Sequence, residues 1–93
     1  MTIPASAYKQ PHDVMLFFEE KDVNYNDNCL AERINYYENL KNDGKVLLSG
    51  NFWNRPANFI IVHVSSDAEL EQIIDNDPGL LQNTIELVRA MPF

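Results

Sequence analysis

Four stretches of the chain carry the hydrophobic patterns of β-strands. Apolar residues fill both alternating positions of VMLFFE (14–19) and FIIVHV (59–64), and short runs of this kind predict strands buried on both faces. KVLLSGNFW (45–53) predicts another strand. TIELVRA (84–90) alternates more cleanly, with Ile85, Leu87 and Arg89 on one side, which favours a strand nearer a sheet edge.

A helix is predicted over residues 29–42, because apolar side chains recur there at helical spacing. Gly44 is suited to the left-handed conformation that ends many helices, so it marks the C-terminal stop. The residues assigned to the buried stripe are Leu30, Arg33, Ile34, Tyr37, Leu40 and Lys41.

A second helix begins at the sequence SDAE. Ser66 is placed to accept a hydrogen bond from the backbone N–H of Glu69, and the Glu69 side chain to reach back to the N–H of Ser66, which is a capping box. Leu70 and Ile73 form its buried face. The helix is expected to run to about residue 76, because Pro78 follows and disfavours helical geometry in the residue before it.

The element order β-α-β-β-α-β predicts an α+β, ferredoxin-like fold. Right-handed connections place both helices on one face of a four-stranded antiparallel sheet. The second face, which carries apolar residues of 14–19 and 59–64, then needs a cover. We expect a homodimer packed sheet to sheet, a dimeric α+β barrel. The alternative is a monomer whose extra apolar residues reflect strand propensity alone.

Length and composition describe one small domain. Of the 93 residues, 1–12 are interpreted as a flexible N-terminal arm and 13–93 as the folded domain. The net charge of −7 argues against nucleic acid and against an anionic membrane surface as partners. A single cysteine, Cys29, fits a reducing, cytoplasmic setting. No set of side chains has metal-ligand spacing, so we expect no metal and no cofactor.

Two charged residues fall where apolar ones are expected. Arg33 lies on the buried stripe of the first helix, and Asp77 lies on the buried side at the end of the second. The two helices are predicted to be antiparallel, so these residues can meet at one end of the helix layer. Charges on buried faces need a partner. The pair is either a structural ion pair, which the sequence favours, or part of a polar cleft.

The chain resembles the YCII-related family of small dimeric α+β barrel proteins. The matching stretches are MLFFEE, RINYYENLKNDGKVLLSG and SSDAELEQIIDNDPGLL. The resemblance implies an acid–base site between a histidine early in the first helix and an aspartate in an Asp-Pro corner. Asp77 matches that aspartate, but Arg33 stands at the position of the histidine.

This replacement changes the chemistry that the resemblance implies. Arginine stays protonated in proteins and cannot act as a base near neutral pH. Arg33 can bind an anionic or enolate oxygen, with Asp77 as base or as the group that orients it. That suggests a small-molecule enzyme of the proton-transfer or elimination type. The alternatives are a non-catalytic small-molecule binding protein and an accessory or structural dimer, and whether the chain is an enzyme stays open.

The same end of the fold supplies candidate ligand contacts. A small anionic or aromatic ligand is expected there, and its candidate binding residues are Tyr37, Ser49, Trp53 and Asn58. His63 shares a strand face with apolar residues and is interpreted as a packed side chain, facing either the helices or a partner subunit.

A second, thinner resemblance concerns the C-terminal half of the chain. The stretch GNFWNRPANFIIVHVSSDAELEQII, followed by IELVRAMPF, is similar to the muconolactone isomerases, which share the fold. Their site residues cannot be matched one by one, so this similarity implies no site residues.

Overall fold

The computed structural model describes residues 12–21 and 27–93. The arm predicted over residues 1–12 therefore lies outside the described residues, except for His12, which is the first residue of a strand. The elements in chain order are β1 (His12–Glu20), α1 (Asp27–Asn42), β2 (Val46–Asn51), β3 (Ala57–Val64), α2 (Asp67–Asp75), α3 (Pro78–Leu81) and β4 (Ile85–Pro92).

The four strands form one antiparallel sheet in the order β2-β3-β1-β4. This order confirms the predicted α+β, ferredoxin-like topology, and it places β4 at an edge, as expected. The core lies between the helices and one face of the sheet. The residues that form it are Val14, Leu16, Phe18, Tyr37, Val46, Ile60, Val62, Val64, Leu70, Ile73 and Ile85.

Local signals fix the helix ends. Gly44 has a φ of 77°, and the backbone N–H groups of Gly44 and Lys45 donate to the carbonyls of Lys41 and Leu40, which is a Schellman stop. At the start of α2, the Ser66 hydroxyl accepts from the N–H of Glu69 at 3.1 Å. The returning half of the predicted capping box is absent, because the Glu69 carboxylate pairs with Lys45 at 3.1 Å instead.

The buried face of α1 differs from the prediction. Leu30 and Ile34 are 40% and 56% exposed, whereas Cys29, Arg33 and Tyr37 are buried. These three residues follow an i, i+4, i+8 spacing, which is also a helical face. The helix is rotated relative to the apolar stripe because its polar side chains, Arg33 and Tyr37, find partners in the interior.

Two details near the C-terminus also correct the sequence interpretation. The segment after Asp77 forms the short helix α3, which the sequence did not predict. In β4, Leu87 is paired with Phe18 and Arg89 with Phe17, and the register shifts between those two partners. This bulge places Arg89 on the opposite face from Leu87, so the prediction that the two share a side of β4 is wrong.

The face of the sheet opposite the helices, called the open face here, is apolar. Its half-buried residues include Met15, Phe17, Phe59 and Ile61. Leu48, which pairs with Ile61, is 56% exposed on the edge strand. At the edge of this face, His63 lies 2.9 Å from the carboxylate of Asp13, so the histidine points away from the helices. Within residues 12–21 and 27–93, none of the helices combines the length and apolar character needed to cross a bilayer.

Candidate functional site

The corner between α2 and α3 fixes the position of Asp77. Asp77 is the N-cap of α3, and Pro78 occupies the first helical position, where a missing N–H is tolerated. The Oδ1 atom of Asp77 accepts a hydrogen bond from the N–H of Gly79 at 2.8 Å. The side chain is 0% exposed, so this carboxylate is directed into the protein interior.

Arg33 and Asp77 form a buried ion pair, as the antiparallel helices led us to expect. The Nε atom of Arg33 lies 3.1 Å from both Oδ1 and Oδ2 of Asp77. Arg33 is 7% exposed. A buried charge pair of this kind needs further hydrogen bonds to offset the loss of hydration.

Tyrosine side chains of α1 complete the surroundings of the carboxylate. The hydroxyl of Tyr37 donates to Oδ2 of Asp77 at 2.5 Å, and that of Tyr36 donates to the Ile73 carbonyl at 2.8 Å. Burial, and then the negative charge of Asp77, raises the pKa of Tyr37 far above its usual value. The same two causes raise the pKa of Tyr36. Both phenols therefore stay protonated and act as donors.

The contacts of Asp77 restrict what it can do chemically. Its two oxygens accept hydrogen bonds from Arg33, Tyr37 and the backbone of Gly79, and the residue is fully buried. A general base must come within hydrogen-bond reach of a proton on the substrate. Asp77 lines neither of the two cavities that border this part of the fold. Its geometry suits a residue that orients Arg33.

The guanidinium group of Arg33 has a remaining donor. Its Cζ atom lies 4.5 Å from the centroid of the Phe18 ring and 5.2 Å from that of Tyr37, which are cation–π distances. Its Nη2 atom is buried and, among the described residues, has no hydrogen-bond partner. Buried donors are almost always paired with protein groups, ordered water or a bound ligand.

A cleft borders Arg33. One cavity, of about 320 Å³, lies where β1 and β2 end and where β3 and β4 begin. A second cavity, of about 370 Å³, lies between α1 and the neighbouring strands β2 and β3. Both volumes fall in the range of small-molecule sites. The two cavities adjoin, because they share lining residues: Leu30, Arg33, Asn51 and Asn58.

The described residues that line the first cavity include more cationic than acidic side chains. Three of the seven Lys and Arg residues, Lys21, Arg33 and Arg55, line it. Among the described residues, Glu20 is the one acidic residue that lines it. Lys21 contacts the side chain of Asn83, and Arg55 forms an ion pair with Glu19. Arg33 and Arg55 are each paired with a carboxylate, so part of this positive charge is compensated. The cationic side chains can still donate charge-assisted hydrogen bonds to an anionic ligand.

Some of the predicted ligand-binding residues line the cavities, and one does not. Tyr37 and Ser49 line the second cavity, and Asn58 lines both. The Oδ1 atom of Asn58 is buried and lacks a hydrogen-bond partner within the described part of the chain. Trp53 lines neither cavity and is 95% exposed, because the β2–β3 connection carries it into solvent.

Sequence reasoning missed Lys21 and Arg55 as residues of the site. Each lies at the end of a strand or in a turn, where no periodic pattern indicates a direction for the side chain. Cys29 also lines the first cavity, and its Sγ atom lies 3.3 Å from Oγ1 of Thr84. Among residues 12–21 and 27–93, the side chains of His, Cys, Asp and Glu form no cluster of three or more that could hold a metal ion.

Comparison with known proteins identifies a family. The family model of the YCII-related domain matches residues 7–93. No curated protein matches the chain. The family match covers the whole described sheet and all the helices, including both members of the buried ion pair.

Proposed function

The chain belongs to the YCII-related domain family, and within that family we propose that it is a small dimeric protein that binds a small organic anion beside Arg33. The ligand occupies the cleft formed by the two adjoining cavities. In this proposal Asp77 positions Arg33 and does not transfer protons. The proposal selects the binding alternative over the proton-transfer alternative that the sequence left open.

One observation carries the proposal: the Nη2 donor of Arg33, a residue that lines the cleft, is buried and has no hydrogen-bond partner in the described chain. Asp77 uses only the Nε side of the guanidinium. An anionic oxygen in the cleft supplies the acceptor that Nη2 lacks. A hydrogen bond between charged groups in such a partly enclosed place is stronger than one between neutral groups.

The local charge supports the same ligand class. Lys21 and Arg55 lie on the walls of the first cavity, in a protein whose net charge is −7. An acidic protein repels anions over most of its surface, so a cationic lining directs them to one place. Apolar residues beside this charge, including Leu30 and Ile85, suit the hydrocarbon part of an organic acid.

The geometry gives less support to catalysis by the Arg33–Asp77 pair. A proton-transfer reaction needs a base in contact with the substrate, and Asp77 is fully buried with donors on both oxygens. Arg33 cannot take the place of the family histidine as a base. In this proposal Asp77 holds Arg33 in place, and the guanidinium group of Arg33 binds the anion.

The experiment is a titration of the full chain with phenylacetate, and isothermal titration calorimetry measures the binding. We expect binding in the wild type that weakens with added salt. The test variant carries Arg33→Gln together with Asp77→Asn, so that no buried charge is left alone; it should lose binding while keeping its circular dichroism spectrum. Lys41→Gln, at an exposed lysine of α1 that lines neither cavity, is the control and should bind as the wild type does. Absence of binding by the wild type contradicts the proposal.

The proposed assembly is a homodimer that packs the open face of one subunit on that of another. Phe17, Phe52 and Phe59 form a row of edge-to-face aromatic contacts there, with centroid distances of 5.3 and 6.1 Å. Apolar surface of this kind on a small protein commonly marks an interface. A second copy supplies a matching apolar face by symmetry. We further propose a cytoplasmic location, which the single, buried cysteine supports.

A further inference from the structure

We propose that the anion bound beside Arg33 is a hydroxylated carboxylate, and that Asn58 recognises its hydroxyl group. This inference rests on the proposed function and narrows its ligand class. It follows from a second buried atom without a partner in the described chain, the Oδ1 acceptor of Asn58. Asn58 and Arg33 both line both cavities, so a ligand at the junction of the cavities can reach both side chains.

The sheet register places the two side chains close together. Asn58 lies directly opposite Phe18 in the β1–β3 pair. Side chains in such positions share a face, and their Cβ atoms are about 4.5–5.5 Å apart. The ring of Phe18 in turn lies 4.5 Å below the guanidinium carbon of Arg33. Phe18 therefore forms an apolar floor, with the free donor of Arg33 above it and the free acceptor of Asn58 beside it.

These two atoms require opposite partners. The Nη2 group of Arg33 donates, so it needs an acceptor such as a carboxylate oxygen. The Oδ1 atom of Asn58 accepts, so it needs an N–H or O–H donor, and a hydroxyl group supplies one without adding a positive charge beside Arg33. A simple carboxylate satisfies the first atom and leaves the second unpaired, which is unfavourable for a buried acceptor. A carboxylate with a hydroxyl on the adjacent carbon satisfies both.

The second cavity suggests where the rest of the ligand lies. Its lining includes Leu30, Ile34, Tyr37 and Ile60. A hydrocarbon or aromatic substituent packs there while the carboxylate and the hydroxyl face Arg33 and Asn58. The carboxylate, the hydroxyl and the substituent then each have a fixed contact, and three such contacts distinguish the two enantiomers of a 2-hydroxy acid.

The test compares probes that differ by one group. Phenylacetate has the carboxylate and the ring, the two enantiomers of mandelate add a hydroxyl, and 1-phenylethanol has the hydroxyl without the carboxylate. In calorimetric titrations of the wild type, we expect one mandelate enantiomer to bind about tenfold more tightly than phenylacetate. 1-Phenylethanol should show no binding.

Variants then assign the preference to Asn58. Asn58→Leu should lower the ratio of mandelate to phenylacetate affinity to about one, while phenylacetate still binds. The matched control is Asn39→Leu, because Asn39 is an exposed asparagine of α1 that lines neither cavity. This control should keep the preference for mandelate.

The outcomes separate this inference from the proposed function. If phenylacetate and both mandelates bind the wild type equally well, and binding is lost in the Arg33→Gln, Asp77→Asn variant, the anion site stands and the role of Asn58 is overturned. The role of Asn58 is also overturned if Asn58→Leu keeps the preference for mandelate. If none of the acids binds the wild type, both proposals fail.

Discussion

Tyr37 and Asp77 are joined by a 2.5 Å hydrogen bond that connects α1 to the corner between α2 and α3. The same carboxylate receives the Nε group of Arg33, one helical turn before Tyr37. Two side chains of one helix therefore hold one buried anion. This arrangement fixes the guanidinium of Arg33 against the cleft, and the stability of the fold and the binding of an anion both depend on it.

Replacing Asp77 with asparagine should be strongly destabilising. The change removes the countercharge of Arg33, which is 7% exposed, and leaves a buried charge without compensation. We expect the free energy of unfolding to fall by about 3–5 kcal/mol, measured by urea denaturation. Asp75→Asn, at an exposed position of α2, is the control and should change it by less than about 0.5 kcal/mol. A small effect at Asp77 would show that the pair is not structural.

The raised pKa of Tyr37 predicts a loss of stability at alkaline pH. The unfolded chain releases the phenolic proton near pH 10, whereas the folded protein keeps it. The contribution of Tyr37 is therefore complete below about pH 10 and declines as the pH rises further, by about 1.4 kcal/mol per pH unit. Urea denaturation of the wild type and of Tyr37→Phe above pH 10 measures this slope.

At neutral pH, Tyr37→Phe should be less stable than the wild type by about 1.5–3 kcal/mol, because it lacks the hydrogen bond from the Tyr37 hydroxyl to the charged carboxylate of Asp77. Above pH 10 the difference between the two proteins should shrink, since only the wild type must keep this proton in order to fold. Parallel curves for the two proteins would contradict the assignment.

Gly79→Ala should disturb both the fold and the cleft. A Cβ atom at this position would meet Ile85 at 2.8 Å and the Cδ atom of Arg33 at 3.0 Å. We expect a loss of about 1–3 kcal/mol of stability and weaker binding of phenylacetate, because Arg33 is displaced. Gly44→Ala is the matched control. It strains a φ of 77° but meets nothing within 4 Å, so it should lower stability without changing affinity. Unchanged affinity in Gly79→Ala would refute this link.

The open face can be tested with two equally exposed residues. Leu48 and Ile34 are both 56% exposed, but Leu48 lies on the open face and Ile34 on α1. Leu48→Glu should convert the dimer to a monomer, because a charge would be buried at the interface. Ile34→Glu should leave it intact. Sedimentation at micromolar concentration should give twice the chain mass of 10.7 kDa for the wild type, and a wild-type monomer would refute the dimer.

Much of the fold could be predicted because its signals are local. Gly44 and Ser66 act within one helical turn, through a left-handed φ and a side-chain cap, and both are observed. The capping box failed in its second half because Lys45, from another part of the chain, competes for the Glu69 carboxylate. The bulge in β4 could not be predicted, since it depends on the pairing of Arg89 and Leu87 with neighbouring residues of β1.

The candidate site was predicted in part. Arg33 and Asp77 were identified because each places a charge on a buried helix face, and topology brings such charges together. The rotation of α1 was not predicted, because the apolar spacing of Leu30 and Ile34 suggested that they are buried. The periodicity of apolar residues indicates only which face of α1 is hydrophobic. The orientation of α1 in the fold is set instead by the ion pair between Arg33 and Asp77.

By itself, the sequence determined the order of the elements, the helix ends and the need of two buried charges for each other, since these depend on residues that act locally or on simple periodicity. Only the tertiary structure shows which atoms of Arg33 and Asn58 lack partners among the described residues. It alone also shows that these two residues line one cleft. A hydrogen bond depends on distance and direction to within a fraction of an ångström, and packing between distant segments sets both.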